Sequence, residues 1–172
     1  MSMEYKYFIK YNRVETLNHA SAKAYPNCIK DYNLLILSED NNLNEKPDFF
    51  SDVLVLDLDC AEIIKAKSEK RNQNSTMDSA FVIADEKNKE ILLVELRLNY
   101  KNLYNLNRKK LIDKVAGSCV LLGNSVKVHS DFIFIFQSNK VQEAKNRISR
   151  MIPSLNNNYK VMDLNSLLFR YF

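Results

Sequence analysis

Three charged residues stand at the ends of two apolar runs within residues 77–100. Asp78 precedes the run SAFVIA, while Glu95 and Arg97 close the run EILLVELRL. Side chains alternate across a strand, so Glu95 and Arg97 would share one face. Two carboxylates held together repel unless a cation lies between them, and hard oxygen ligands suit Mg²⁺ or Mn²⁺. Asp78 and Glu95 are therefore candidate metal ligands, with Arg97 placed to stabilise charge on a phosphate.

A β-hairpin would bring these residues together. Two β-rich runs flank the charged loop DEKNK, which predicts an antiparallel hairpin of residues 77–84 and 90–98. A register centred near residue 87 places Asp78 opposite roughly residue 96, within reach of Glu95. The alternative interpretation is a plain ion network at the strand ends, with little effect on stability and no function. Both interpretations remain open at this point.

The rest of the chain predicts helices and strands that alternate. Residues 49–70 are ambiguous, since Leu54, Leu56 and Leu58 alternate like a strand within a helical stripe of apolar residues. At least residues 59–70 suit a helix, with Asp59 as N-cap and Glu62 at the third helical position, as in a capping box. Residues 4–11 suggest a strand, and residues 14–24 suit a short helix stopped by Pro26. The apolar run at 33–38 suggests a strand, and the polar stretch at 39–48 a loop. Residues 103–122 have one apolar helical face, and Gly123 is a natural end for that helix.

The C-terminal half continues the pattern. DFIFIF at 131–136 predicts a strand covered on both faces, followed by a helix that ends before Pro153. YKVMDL suggests a last strand, and NSLLFRYF a short docking helix. From about residue 60 the order is helix, strand, strand, helix, strand, helix. An α/β fold with a central mixed sheet flanked by helices would bury these faces, and 172 residues suit a single domain.

The segment MDSAFVIADEKNKEILLVELR resembles the core motif of the PD-(D/E)xK, or restriction-endonuclease-like, nuclease superfamily. That motif is an Asp, a hairpin, and Glu-x-Lys at the end of the second strand, within a core of a helix, three strands, a helix and a strand. The resemblance covers roughly residues 59–150, which leaves residues 1–58 as an N-terminal extension and 59–172 as nuclease-like core and tail. It implies that Asp78 and Glu95 are metal ligands and that Glu62 is the acid of the preceding helix.

The resemblance has two departures. Met77 replaces the Pro before the Asp, and Arg97 stands at the Lys position. An arginine is bulkier than a lysine, stays protonated and cannot act as a base. Lys110 or Lys114 on the next helix could substitute, since some members of the superfamily use a lysine from there. The resemblance therefore implies catalysis by Asp78, Glu95, Arg97 and Glu62 that is weak or lost, with Mg²⁺ or Mn²⁺ as cofactor if the site is active.

The charge of the chain is unevenly distributed. Residues 1–59 hold six Lys and Arg against ten Asp and Glu, whereas residues 60–172 hold nineteen against eleven. A basic C-terminal part is compatible with a phosphate-bearing partner, although a solvated surface gives the same pattern. Within it, the candidate residues for nucleic-acid contact are Arg108, Lys109, Lys110 and Lys114.

The cysteines and the first residues indicate the cellular compartment. Cys28, Cys60 and Cys119 are odd in number and far apart, which argues against a zinc site or a disulfide framework and favours reduced thiols in a cytoplasm. The first residues lack the apolar core of a signal peptide, and no apolar run has the length of a membrane span. His19 and His129 have no partner in the sequence and are expected to be structural.

Two classes of function follow. One is a PD-(D/E)xK-like protein that acts on or binds nucleic acid, as a subunit of a bacterial defence or DNA-processing complex. The other is a catalytically inactive protein-binding subunit or immunity-type protein, with a protein partner or a second copy and no metal chemistry. Dependence on metal discriminates them.

Overall fold

The computed structural model describes residues 9–43, 45 and 47–172. Within these ranges a seven-stranded mixed sheet has the order β2-β3-β4-β5-β6-β7, with β1 paired to β4. The strands are β1 Lys10–Tyr11, β2 Ile29–Asp31, β3 Leu54–Asp57, β4 Ser79–Ala84, β5 Lys89–Leu96, β6 Val128–Ile135 and β7 Tyr159–Met162. The helices are α1 Arg13–Asn18, α2 Ala20–Ala24, α3 Tyr32–Glu39, α4 Leu58–Ser68, α5 Arg108–Leu122, α6 Val141–Ser149 and α7 Leu164–Tyr171.

The sheet has an antiparallel half and a parallel half. β2, β3, β4 and β5 pair antiparallel in that order, whereas β5, β6 and β7 pair parallel. Parallel neighbours need a crossover, and α5 and α6 provide the two crossovers. The predicted hairpin, the strand at 131–136 beside it and the order of elements after residue 60 are confirmed.

Hydrophobic side chains cover the sheet on both faces. Alternate residues of the strands divide between two buried clusters, so that Ala80 and Leu93 belong to one cluster and Phe81 and Leu92 to the other. The first cluster also contains residues of α4, α5 and α6, and the second contains residues of α3 and α7. The α/β fold with a central mixed sheet flanked by helices is thus observed.

Two local predictions in the N-terminal half were wrong. The run at 33–38 is helical, because Asp31 caps α3 by accepting from the backbone N–H of Leu34 at 3.1 Å. A short apolar run suits a strand and a buried helix equally well, and the cap decides between them. The N-cap of α4 is Asp57 rather than Asp59, since the Asp57 side chain accepts from the backbone N–H of Cys60.

The cysteine prediction was also wrong. Cys28 and Cys60 form a disulfide that joins the start of β2 to α4, and Cys119 is the remaining thiol. The separation of the two cysteines in sequence gave no sign of this bond. They meet because β2 pairs with β3, Cys28 lies just before β2, and α4 follows β3 directly. The bond leaves the expectation of three reduced thiols without support.

The N-terminal part of the chain contributes to the same sheet as the rest. β1 pairs with Ile83 and Ala84 of β4, and β2 forms one edge. The predicted helix at 14–24 is divided into α1 and α2 at His19. Most of the predicted strand at 4–11 lies outside the described residues. None of the described helices combines the length and the hydropathy that crossing a membrane requires.

Candidate functional site

The hairpin brings Asp78 and Glu95 together. Ser79 pairs with Val94, and continuing this antiparallel register by one step sets Asp78 opposite Glu95, one residue from the expected partner. Asp78 Oδ2 accepts a hydrogen bond from the backbone N–H of Leu96 at 2.5 Å. Both carboxylates are buried, with Asp78 7% and Glu95 2% exposed. The predicted proximity of the two acids is therefore present at the end of β5.

Glu95 is held by two cations of the same chain. Lys114 Nζ lies 3.0 Å from Oε1 and 3.1 Å from Oε2, and it also donates to the carbonyl of Thr76 at 2.8 Å. Arg97 Nε lies 2.9 Å from Oε1, as an ion-pair contact rather than an aligned hydrogen bond. We call Glu95, Arg97 and Lys114 the ion network. It connects α5 to the end of β5.

Burial and neighbouring charge control the protonation of the two acids. Burial raises the pKa of Asp78 well above its ordinary value, and the charge of Glu95 raises it further. Burial also raises the pKa of Glu95, while the positive charges of Lys114 and Arg97 oppose that shift. Asp78 is therefore driven towards its neutral form, which removes its repulsion with Glu95.

Two further acids contribute to the electrostatics here. Glu39, at the end of α3, is one of the groups that raise the pKa of Asp78, and its own pKa is raised by burial and then by Glu95. Asp59 raises the pKa of Glu95 and accepts a hydrogen bond from the Thr76 hydroxyl. Glu39 was missed because the sequence pattern placed it in a loop after a strand.

The described contacts of Glu62 are with residues other than Asp78 and Glu95. Its carboxylate accepts from Arg71 Nη1 at 2.6 Å and from the backbone N–H of Asn74 at 2.7 Å. The hydrogen bond from Arg71 is the main cause of the lowered pKa of Glu62. Glu62 thus ties α4 to the segment that follows it, and Asp59 is the acid of α4 that acts on the Asp78–Glu95 pair.

The donor set in this arrangement does not fit a divalent ion. A hard cation needs several free oxygen ligands, but both oxygens of Glu95 are engaged by Lys114 and one also by Arg97. One oxygen of Asp78 is engaged by Leu96. Among residues 9–43, 45 and 47–172, no group of three or more His, Cys, Asp or Glu side chains is placed to hold a metal. An ion bound at Glu95 would have to displace one of the two cations.

A second charged region lies between α5 and α6. A cleft of about 620 Å³ is lined by the start of α5, the end of α6 and the 3₁₀ turn Leu103–Asn105. Its cationic residues are Arg108, Lys110, Arg147 and Arg150. None of the described residues that line it is an Asp or a Glu. We call this the basic cleft.

Two of the four residues predicted to contact nucleic acid line the basic cleft, and the other two lie elsewhere. Arg108 and Lys110 line the basic cleft. Lys109 instead forms an exposed pair with Asp113, and Lys114 belongs to the ion network. Arg147 and Arg150 were not among the predicted residues, although their spacing of three residues places them on one side of the end of α6.

Comparison with protein-family models, with curated proteins and with solved structures finds no match for this chain. The fold and the two charged regions therefore define the class of protein to which this chain belongs. It is an α/β protein with a mixed sheet, an ion network at the end of a central strand and a basic cleft between two helices on one face.

Proposed function

We propose that this chain is a PD-(D/E)xK-like protein that binds nucleic acid through the basic cleft, with metal-dependent cleavage weak or lost. The observation that carries the proposal is the uncompensated charge of the cleft. Four cationic side chains from two helices converge there without a carboxylate among the described lining residues. A polyanionic backbone is the partner that such a surface attracts most strongly.

The order of elements supports the PD-(D/E)xK part of the proposal. α3, β3, β4, β5, α5 and β6 follow the order of that superfamily's core, a helix, three strands, a helix and a strand, with α4 inserted between β3 and β4. On this proposal Asp78 and Glu95 are the two acids of the motif. Glu39, at the end of α3, then replaces Glu62 as the acid on the preceding helix.

The ion network supports weak or lost cleavage. Lys114 reaches Glu95 from α5, where a substitute lysine would stand, but it is engaged by Glu95 and by the carbonyl of Thr76. Arg97 keeps its proton and cannot act as a base. The charges that would serve a cleavage reaction instead neutralise one another.

Binding is tested by fluorescence anisotropy with labelled single-stranded and duplex oligonucleotides over a range of salt. We expect affinity to fall steeply with salt. The double variant Arg147→Glu, Arg150→Glu should bind at least about tenfold more weakly, with a salt slope reduced by about 2, because two phosphate contacts are lost. The matched control, Lys23→Glu with Lys87→Glu, makes the same change in net charge at exposed sites outside the cleft and should retain affinity.

Absence of binding at low salt, or binding that is indifferent to salt, would overturn the proposal. It would favour the other candidate, a protein-binding subunit or a homo-oligomer without metal chemistry. A nuclease assay with Mn²⁺ tests the remaining part, and we expect little or no cleavage. Strong metal-dependent cleavage that disappears in Asp78→Ala would show instead that the ion network opens to admit a metal.

A further inference from the structure

We infer that the basic cleft takes single-stranded rather than duplex nucleic acid, with an unpaired base stacked on Tyr104. The inference rests on the proposed binding of nucleic acid at this cleft and specifies the form of the ligand. It depends on an exposed aromatic side chain between α5 and the end of β5.

Tyr104 is an aromatic side chain held out from the surface. It is 82% exposed, whereas Leu103 and Leu106 on either side of it are each only 2% exposed. The turn is further fixed by Asn102, whose side chain accepts from the backbone N–H of Tyr104 at 2.9 Å. The buried leucines and the capped turn fix the backbone here, so the exposure of the ring is built into the local structure.

The position of Tyr104 matches that of a stacking platform. It lines the basic cleft and also an adjoining cleft of about 230 Å³, and both clefts include Arg147 and Arg150. The ring therefore stands at the boundary of two depressions that share Arg147 and Arg150, and the adjoining one also contains Glu143. A base on the ring would have its phosphate within the reach of guanidinium groups.

Two arginines of the cleft have unused donors. The Nε atoms of Arg108 and Arg147 are buried and have no hydrogen-bond partner among the described residues. Buried polar groups are normally satisfied, and charged donors form strong hydrogen bonds to phosphate oxygens. Both Nε atoms are closed to solvent in this structure, so a phosphate reaches them only when the two arginine side chains rearrange on binding.

The combination of an aromatic ring and cations selects the single-stranded form. In a duplex the faces of the bases are covered by their neighbours, so an exposed tyrosine gains nothing from them. In a single strand the faces are accessible, and stacking on an aromatic side chain contributes about 1–3 kcal/mol per base. Phosphate contacts alone would favour the duplex, because its charge density is higher.

The experiment compares Tyr104→Ala and Tyr104→Phe with the unchanged protein, on single-stranded DNA, single-stranded RNA and duplex DNA at one salt concentration. We expect the single strands to bind more tightly than the duplex. Tyr104→Ala should weaken single-strand binding about 5- to 150-fold, the equivalent of the stacking energy of one base. Tyr104→Phe should restore it, since the ring is kept. A preference between DNA and RNA would report contact with the sugar.

The control is Phe169→Ala on α7, an equally exposed aromatic at 88%, which should change no affinity. Equal binding of single strand and duplex, or an unchanged affinity in Tyr104→Ala, would overturn the inference. In that case Arg147→Glu with Arg150→Glu still decides the proposed function separately. If that double variant weakens binding while Tyr104→Ala does not, the cleft binds nucleic acid through phosphates alone.

Discussion

The ion network and the basic cleft both include residues of helix α5, but only in the ion network are the cations paired with an acid among the described residues. In the network, Lys114 and Arg97 are both matched to the buried carboxylate of Glu95. In the cleft, four cations have no acid among the described lining residues. A cation that is paired with a buried acid contributes to the fold, whereas a cation without an acidic partner can attract an external anion. The second region, rather than the motif-like first one, is therefore the better candidate for binding.

Two lysines of α5 show how fine this division is. Lys110 and Lys114 are four residues apart and so lie on the same side of the helix. Lys114 nevertheless reaches Glu95 and Thr76, while Lys110 lines the cleft. One helical turn separates a structural cation from one available for binding.

The largest effect is expected from breaking the network at Lys114. Lys114→Met leaves the buried Glu95 with Arg97 alone, and removing one partner of a buried ion pair costs about 3–5 kcal/mol. We expect the lower end of that range, because the Lys114 side chain is 22% exposed. Urea denaturation measures the loss. The matched control on the same helix is Lys109→Met, whose pair with Asp113 is exposed and whose removal should leave the midpoint unchanged. Equal midpoints for the two variants would end the distinction between the two regions.

A smaller loss of stability is expected at Gly117, where α5 approaches the segment before β4. A Cβ added there would lie 2.0 Å from the carbonyl oxygen of Ser75, which is backbone. Gly117→Ala should therefore force α5 away from the segment that carries the Thr76 carbonyl. Overpacking of this kind costs about 1–3 kcal/mol. The exposed neighbouring residue provides a control, since Ala116→Ser should lose only the difference in helix propensity, about 0.5 kcal/mol.

Asp78→Asn should stabilise the protein, in a manner that depends on pH. The pKa of Asp78 is raised in the fold, so the folded state favours the protonated carboxyl and loses this contribution as pH rises through the native pKa. Asparagine stays neutral and can still accept from Leu96. The variant should unfold at higher urea than the unchanged protein at pH 7, and the difference should shrink towards pH 4. A variant that is less stable at pH 7 would show that the charge of Asp78 is needed.

The smallest effect is expected at Tyr100, which joins the two regions. Its hydroxyl accepts from Arg97 Nη1 at 3.0 Å and donates to the carbonyl of Asn105, a lining residue of the cleft, at 3.4 Å. Tyr100→Phe should cost about 0.5–1.5 kcal/mol, the usual value of a hydrogen bond. Affinity for oligonucleotides should not change. A change in affinity larger than the change in stability would reveal coupling between network and cleft.

Much of the local structure followed from the sequence, because periodicity and end signals act over a few residues. The β-rich runs on either side of 85–89 predicted β4 and β5, and therefore the approach of Asp78 to Glu95. The apolar face of α5 and Gly123, which has a φ of +66°, predicted where that helix ends. The prediction of a strand at 33–38 was wrong because a run of that length suits a strand and a helix alike. With the helix missed, Glu39 at its end was not recognised as a candidate site residue.

The sequence by itself determined the order of the main elements from about residue 60 onwards and the shared face of Glu95 and Arg97. Tertiary structure alone decided which charges meet. The packing of α5 on the sheet brings Lys114 to Glu95, the pairing of β2 with β3 brings Cys28 to Cys60, and the placement of α6 beside α5 gathers Arg147 and Arg150 with Arg108. These residues are far apart in the chain, so no local pattern encodes their contacts. Their positions depend instead on how whole elements pack around two shared hydrophobic clusters.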